Sequence, residues 1–438
     1  MYSMNKNLST DSYKGVRDFY PEDMAIQNQI FNIWRSTVEK YGYQEYNASV
    51  LEPAELYKAK SGEEIVEKQT YSFIDRGERE VTLRPEMTPT VARMVAAKKR
   101  ELAYPLRWFC MPNFFRYEQP QKGRLREFWQ LNVDIFGVDS LQAEIECISI
   151  AYEITKKYGL KDTDFEIRIG NRKILNYITF DIFGLDEERS RKMLKLIDQK
   201  RKIPNDVFIS TAEVILDDTP GGVMITKFLT LMNSKNFEEF ASNIPQTKEE
   251  HVGLKEVKQV ISGLEKLGIT NAVFDQTLTR GADYYTGVIF EIFDKNPENR
   301  RSVFGGGRYD DLLSLFGGEK VSAFGFGAGD VVSRDLLTTY GNLIKPEEAY
   351  PADIYLCLLN KEVADYGQEV AQTLRSKGIK VSIDYSFRKI GDQIKNADKV
   401  HIPYVICIGD DEVKTGKLKL KNLKTGEERI SDLENVTI

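Results

Sequence analysis

The sequence predicts an α+β body with a helical insertion, followed by a smaller α/β domain. Three observations predict it. Strand pairs joined by polar loops fill residues 69 to 137, and a charged, helix-rich stretch runs from about 165 to 268. After residue 352, strand and helix alternate. At 438 residues the chain is longer than one hydrophobic core normally serves, so two to four domains are expected.

Near the start, "YPEDMAIQNQIFNIWRSTVEKYGY" reads as an amphipathic helix. Pro21 suits its first turn, and Glu22 and Asp23 suit the positive end of its dipole. Ile26, Ile30, Trp34 and Val38 recur every four residues as an apolar stripe. Residues 69 to 84 alternate as a hairpin with its turn at "DRGERE", and residues 107 to 137 read as strand, long polar loop, strand. A helix over roughly 140 to 158 follows. The stretch from 165 to 268 has little strand signal after "DFEIRI" and reads as an inserted domain. Strand character returns at 284 to 293. "SVFGGGRYDDLLSLFG" and "SAFGFGAGDVVSRDLL" then each lead from a Gly-rich segment into a helix. The last 85 or so residues hold strands at "DIYLCLL", "IKVSIDY" and "PYVICIG" with helices between them, and end in a hairpin. That alternation predicts a largely parallel sheet.

Composition excludes several kinds of chemistry. The chain has 41% hydrophobic and 29% charged residues and no run of about 18 uncharged apolar residues, so no membrane span is expected. The amino terminus lacks the apolar core of a secretory signal. The 4 cysteines (Cys110, Cys147, Cys357, Cys407) are far apart in sequence, which predicts free thiols in a reducing, cytoplasmic setting rather than a zinc site. With only 2 histidines, His251 and His401, a Ser-His or Cys-His mechanism has little to work with. Arginines and carboxylates must carry the chemistry. A net charge of −6 argues against a uniformly basic nucleic-acid binder but permits local patches such as "RSRKMLKLIDQKRK", which a solvated helix face also explains.

Three stretches carry candidate chemistry. In "NFFRYEQPQKGRLREFWQLNVDIFG", alternation puts Phe114, Arg116 and Glu118 on one side of a first strand and Phe128, Gln130, Asn132 and Asp134 on one side of a second. Lys122, Arg124 and Arg126 lie between them. The pattern suits a polyanion beside a small polar ligand, since guanidinium groups grip phosphate oxygens bidentately; a salt-bridged surface hairpin fits it equally well. "SAFGFGAGD" puts Gly325, Gly327 and Gly329 on one strand face, leaving it bare for a ligand or for close packing. Finally, "LTRGADYYTGVIFEIFD" sets an arginine, an aspartate and two tyrosines ahead of a buried strand, as an ordinary loop or as a pocket wall.

Taken in order, these segments resemble the histidyl-tRNA synthetases, a family of class II aminoacyl-tRNA synthetases, over nearly the whole chain. "KGVRDFYPED" is similar to the family's first signature, and "YNASVLEPAELY" to motif 1, whose proline (Pro53) lies at the dimer interface in the class. "TLRPEMT" is similar to the substrate-binding segment, and "FRYEQPQKGRLREFWQ" to motif 2. "FGGGRYDDL" with "FGFGAGD" resembles the motif 3 region. "LTRGADYYTGVIFE" resembles a segment peculiar to the histidine enzymes, and "QIKNADKVHIPYVICIGDDEV" the anticodon-binding domain. The resemblance implies a catalytic domain on a mostly antiparallel sheet (1–164 and 269–340), a helical insertion (165–268) and an anticodon-binding domain (352–438).

It also implies a homodimer that forms histidyl-adenylate from L-histidine and ATP, with Mg²⁺, and passes histidine to tRNA(His). Arg116 and Arg280 correspond to the catalytic arginines at the α-phosphate, and both also lie within reach of histidine. Glu86, Met87 and Thr88 correspond to groups around the α-ammonium. Gln130, Asp134, Tyr284 and Tyr285 correspond to groups around the rest of histidine. Glu118 and Arg124, with the glycines at 325, 327 and 329, correspond to the nucleotide site; no metal ligand is assigned. Two departures stand out. Val331 and Val332, after Asp330, replace the usual Glu-Arg pair, and Gln119 replaces the usual motif 2 arginine that meets the acceptor end of tRNA. The regulatory subunit of ATP phosphoribosyltransferase shares the catalytic fold. It lacks the C-terminal domain and usually the arginine at 280, both of which this chain keeps. The "LTRGADYYTG" segment likewise argues against a prolyl or threonyl enzyme.

Overall fold

The computed structural model describes residues 8–58, 69–121, 123–245, 250–279, 284–299, 302–317, 319–345 and 348–438. Lys122 and Arg280 lie outside them. In chain order the first part runs α1 (Pro21–Val38), β1 (Gln44–Glu45), β2 (Leu51–Pro53), α2 (Glu55–Lys58), β3 (Tyr71–Ile74), β4 (Glu80–Leu83), α3 (Thr88–Lys98), β5 (Leu106–Cys110), β6 (Asn113–Phe115) and β7 (Glu127–Phe136). Next come α4 (Gln142–Lys157), β8 (Phe165–Asn171), α5 (Arg172–Asn176), α6 (Glu187–Gln199), α7 (Asn205–Leu216), α8 (Val223–Met232), α9 (Phe237–Asn243) and α10 (Val252–Lys266). This part closes with β9 (Ala272–Phe274), β10 (Val288–Asp294), β11 (Ser302–Arg308), β12 (Ala323–Gly329) and α11 (Asp330–Thr339). The last part is β13 (Ile354–Leu358), α12 (Ala364–Ser376), β14 (Val381–Asp384), α13 (Ile390–Lys399), β15 (Tyr404–Ile408), α14 (Asp410–Thr415), β16 (Lys417–Asn422) and β17 (Glu428–Asp432).

The chain divides into two compact units, Met1–Asp18 with Gln27–Asn342, and Phe19–Ile26 with Leu343–Ile438. The first is built on a sheet of order β1-β5-β7-β12-β11-β10-β8-β9, with β6 added beside β7. Its inner pairings are antiparallel, and only the outer ones, β1 with β5 and β8 with β9, are parallel. Helix α1 packs as its stripe predicts: Ile30, Trp34 and Val38 are fully buried, and the Trp34 indole donates to Tyr158 Oη at 2.6 Å. The hairpin of β3 and β4 forms as expected, its turn held by Asp75, whose carboxylate accepts from the backbone of Gly77 and Arg79.

Three expectations shift. The helical stretch starts at Arg172 rather than at 165, because Phe165–Asn171 is β8 and pairs along its whole length with β10. Its partner lies more than a hundred residues downstream, beyond the reach of local pattern. The first motif 2 strand stops at Phe115: Tyr117 N turns to Gln69 O and Glu118 N back to Arg116 O. Arg116 and Glu118 therefore sit on a loop and not on a strand face. In the second unit, β14, β13 and β15 are parallel, but β16 and β17 add antiparallel, so the expected largely parallel sheet is mixed. The link from Ile408 to Lys417 is shorter than the dozen or so residues a parallel crossover needs.

Five of the basic side chains in the run at 189–202 are engaged within the first unit. Lys192 pairs with Glu188, Lys202 with Asp198 and Arg201 with Asp275, while Lys200 donates to the Met232 carbonyl and Arg189 to that of Ile215.

Candidate active site

Strand β7 supplies the wall of the site. Gln130, Asn132 and Asp134 stand on one face of it, as the period of two requires, and oppose Gly329, Gly327 and Gly325 of β12 in register. One strand further on, Gly305 and Gly307 of β11 oppose Gly327 and Gly325. The middle of the sheet is thus bare on this face, while Phe324, Phe326 and Ala328 are buried.

The reason for the glycines is geometric. A Cβ on Gly325 would collide with Asp134 Oδ1 and lie 2.8 Å from the Val133 carbonyl. One on Gly327 would collide with Gln130 Nε2, and one on Gly307 would lie 2.7 Å from Tyr285 Cδ1. The packing reading of the glycine face holds: the glycines let polar side chains lie over the sheet, and those side chains frame a cavity. Gly329 has open space above it. Gly325→Ala is expected to raise the KM for whatever ligand the cavity holds about 10- to 100-fold, the overpacking cost of roughly 1–3 kcal/mol falling on Asp134 and on a backbone carbonyl that cannot rotate away. Initial-rate kinetics beside a thermal melt check this.

The cavity holds about 150 Å³ and is lined by Glu86, Thr88, Arg116, Gln130, Asn132, Asp134, Tyr284, Tyr285, Gly305, Tyr309, Gly325, Phe326 and Gly327. Its acids are held in different ways. Asp134 is 4% exposed and accepts from Tyr309 Oη at 2.5 Å. Burial pushes its carboxyl up to about 7, against the lowering effect of the Tyr309 hydrogen bond. Burial, then the nearby Asp134 charge, pushes the Tyr309 phenol well above its usual range. Glu86, nearly as buried, accepts from Tyr284 Oη at 3.2 Å, and that phenol also reaches Thr88 Oγ1 at 3.4 Å. Gln130 Nε2 donates to Asn132 Oδ1 at 2.8 Å.

Arg116 enters from the rim. Its Nε donates to the Pro85 carbonyl at 2.9 Å and its guanidinium lies over the Phe128 ring at 5.2 Å, so the head is aimed before any ligand arrives. Glu118 and Arg124 stand outside the cavity lining, with Arg124 Nη1 3.6 Å from Glu118 Oε2. That oxygen is buried and, among the described residues, has no hydrogen-bond partner, so it suits a ligand that donates. Met87 belongs elsewhere: it is fully buried in an apolar cluster with Cys110 and Phe114, and does not line the cavity. Arg84, in the same segment, is scaffold, donating to the carbonyls of Asn113 and Ala48. Asp330, at the departed motif 3, is a buried anchor that accepts from Arg17 at 2.6 Å and from Trp129 N at 2.9 Å.

Tyr309 was not singled out from sequence, although it sits inside "FGGGRYD". The only sign was a bulky phenol straight after a glycine run, and its partner Asp134 is 175 residues away.

Comparison with known proteins follows the same lines. A family model described as histidyl-tRNA synthetase matches residues 15–329, and one described as anticodon binding domain matches 353–437. A histidine–tRNA ligase of Leptospira biflexa is 42% identical over 95% of this chain and 94% of its own length. One from Opitutus terrae is 38% identical over 95% of this chain and 94% of its own. The crystal structure of histidyl-tRNA synthetase from Nostoc sp. PCC 7120 superposes with a TM-score of 0.81 at 24% identity, covering 98% of each chain, and shares the fold.

Proposed function

The chain belongs to the histidyl-tRNA synthetase family and couples histidine to tRNA(His) with ATP; from that premise we propose that histidine and ATP meet in the polar cavity on the glycine face. The observation that carries this reading is the pair Asp134–Tyr309 at one end of a cavity whose other polar groups include Glu86 and Arg116. An imidazole has two nitrogens. The buried carboxylate, with Tyr285 and Gln130 lining the same cavity, can satisfy both, and an amino acid lacking them would leave Asp134 with no bond beyond that from Tyr309. Glu86 and Thr88, bridged by Tyr284, suit the α-ammonium.

Adenylate formation makes a bond from the histidine carboxylate to the α-phosphorus and breaks the one to pyrophosphate. The carboxylate is already a nucleophile, so the protein supplies alignment and charge stabilisation rather than a base. Arg116 is the described group suited to that charge, and Arg280 is proposed as the second. Glu118, whose Oε2 accepts no hydrogen bond from a described residue, and Arg124 are proposed for the nucleotide, which would run over Gly329. Mg²⁺ would offset phosphate charge when bound. Among the described residues no group of three His, Cys, Asp or Glu could hold a metal by itself, and no step is routed through it.

Residues 352–438 are proposed to meet the anticodon, supported by the family match there. For a homodimer the support is an apolar face on the β2-β4-β3 sheet, where Leu51 is 39% and Phe73 49% exposed beside Pro53. The described cysteines are free, which suits the cytoplasm.

Amino-acid-dependent ATP–pyrophosphate exchange tests the site. Exchange with histidine and not with proline is expected; no exchange with histidine, or equal exchange with proline, sinks the reading. Arg116→Ala and Arg280→Ala should each keep the fold and slow exchange by about 10²-fold or more, as for loss of a charge-stabilising donor. A parental rate in either variant removes that arginine from the mechanism.

A further inference from the structure

The loop between β6 and β7 carries Glu118 and Arg124. Besides the bonds from Tyr117 N to Gln69 O and between Gln121 and Arg124, several of its fixed points meet at one residue. Arg126, 9% exposed, donates from Nε to the Glu118 carbonyl at 3.1 Å, and its own carbonyl accepts from Arg116 N at 2.9 Å. Its guanidinium lies over the Tyr117 ring at 4.1 Å and the Tyr13 ring at 5.6 Å, and its Nη1 donates to Tyr13 Oη at 3.1 Å.

The other half of this knot comes from the first signature of the chain. Gly15 O accepts from Arg126 N at 2.7 Å. Gly15 has φ +87°, and a Cβ there would lie 2.8 Å from Arg126 Cγ and 2.9 Å from Pro120 Cγ. Only glycine combines that backbone with that approach. Two residues on, Arg17 is tied to Asp330, which also holds Trp129 N next to the cavity residue Gln130. The amino-terminal segment thus touches both the loop and the strand behind it.

We propose that Arg126 is a positioning residue, clamped by Tyr13 and Gly15, that holds Glu118 and Arg124 where they meet ATP. This rests on the assignment of Glu118 and Arg124 to the nucleotide. Arg126 does not line the cavity; it acts through the loop. A point charge alone does not suffice, because the planar fork both donates and stacks.

The test is exchange kinetics on the full chain, with KM measured separately for ATP and histidine and with active-site titration. Arg126→Lys keeps the charge and loses the fork, and should raise the KM for ATP by about tenfold or more while leaving that for histidine within about twofold. Gly15→Ala should produce the same ATP-selective rise from the opposite side. The double variant should fall short of the product of the two, as expected of one coupled unit. Should either fold poorly, Tyr13→Phe removes only the phenol oxygen and should give a smaller rise of the same kind. If the KM for histidine rises in step with that for ATP, or only the active fraction falls while both constants stay parental, the proposal is overturned. Absence of histidine-dependent exchange in the parent is a different failure, that of the site reading itself.

Discussion

Asp134→Ala lowers kcat/KM for histidine by about 10²- to 10³-fold and leaves the KM for ATP within a small factor of the parent. Truncating one partner of a buried, charged hydrogen bond costs roughly 2–5 kcal/mol, much of it from stranding the other partner. On the proposed binding mode the stranded groups are an imidazole N–H and the Tyr309 phenol, which loses its 2.5 Å acceptor. The pH profile gives a sharper readout. Burial sets the Asp134 carboxyl near 7, so below that pH a growing share of free enzyme carries a proton there that a bound imidazole N–H must displace. kcat/KM for histidine, which reports ionisations of the free enzyme, therefore falls as pH drops through about 7. Asp134→Asn abolishes that ionisation and leaves the one belonging to histidine itself, near 6.5. Tyr309→Phe has a predictable sign as well. The phenol hydrogen bond lowers the Asp134 pKa, so its loss moves the limb to higher pH. A limb that stays in place in both variants removes Asp134 from histidine recognition.

Glu144→Ala destabilises the first unit by about 3–5 kcal/mol, read as a lowered urea midpoint. Arg308 is 5% exposed and Glu144 fully buried, joined by two 2.5 Å bonds from Nε and Nη2. The remaining guanidinium bonds, to the carbonyls of Val138 and Ser140 and to Asp310, are long, 3.2 to 3.3 Å, and Glu144 is the partner with the short contacts. Removing it leaves a buried cation, and against a net stability of roughly 5–15 kcal/mol that loss is large. Replacing both partners by apolar residues of similar volume should cost far less than removing Glu144 alone, since the intact pair must also offset its own desolvation. Arg308 immediately precedes Tyr309, so the single variant should also disturb the acceptor side of the site.

What the sequence disclosed depended on how local the cause was. The α1 stripe and the Gln130, Asn132, Asp134 face follow from helical and strand periods and stand as read. Alternating glycines announced a bare face, but not that Asp134 and Gln130 lie across it; that comes from the register of β12 on β7. The alternation argument failed at Arg116 and Glu118 because Tyr117 N finds Gln69 O, a partner from another segment. Met87 lies between two cavity residues in sequence but turns into the core with Cys110 and Phe114. Tyr309 was hidden because its meaning lies wholly in a distant carboxylate.

The glycine face also limits how this pocket can evolve. Most binding sites can be enlarged by truncating a side chain on the floor, but here the floor is already backbone. Substitution at 305, 307, 325 or 327 can only add atoms, so every mutational route through the floor leads to a smaller site. A path toward a bulkier ligand must cut the walls instead, and at Gln130, Asp134 or Tyr285 each cut removes a group proposed to recognise the imidazole. At those positions the size and the chemical identity of the ligand are selected together.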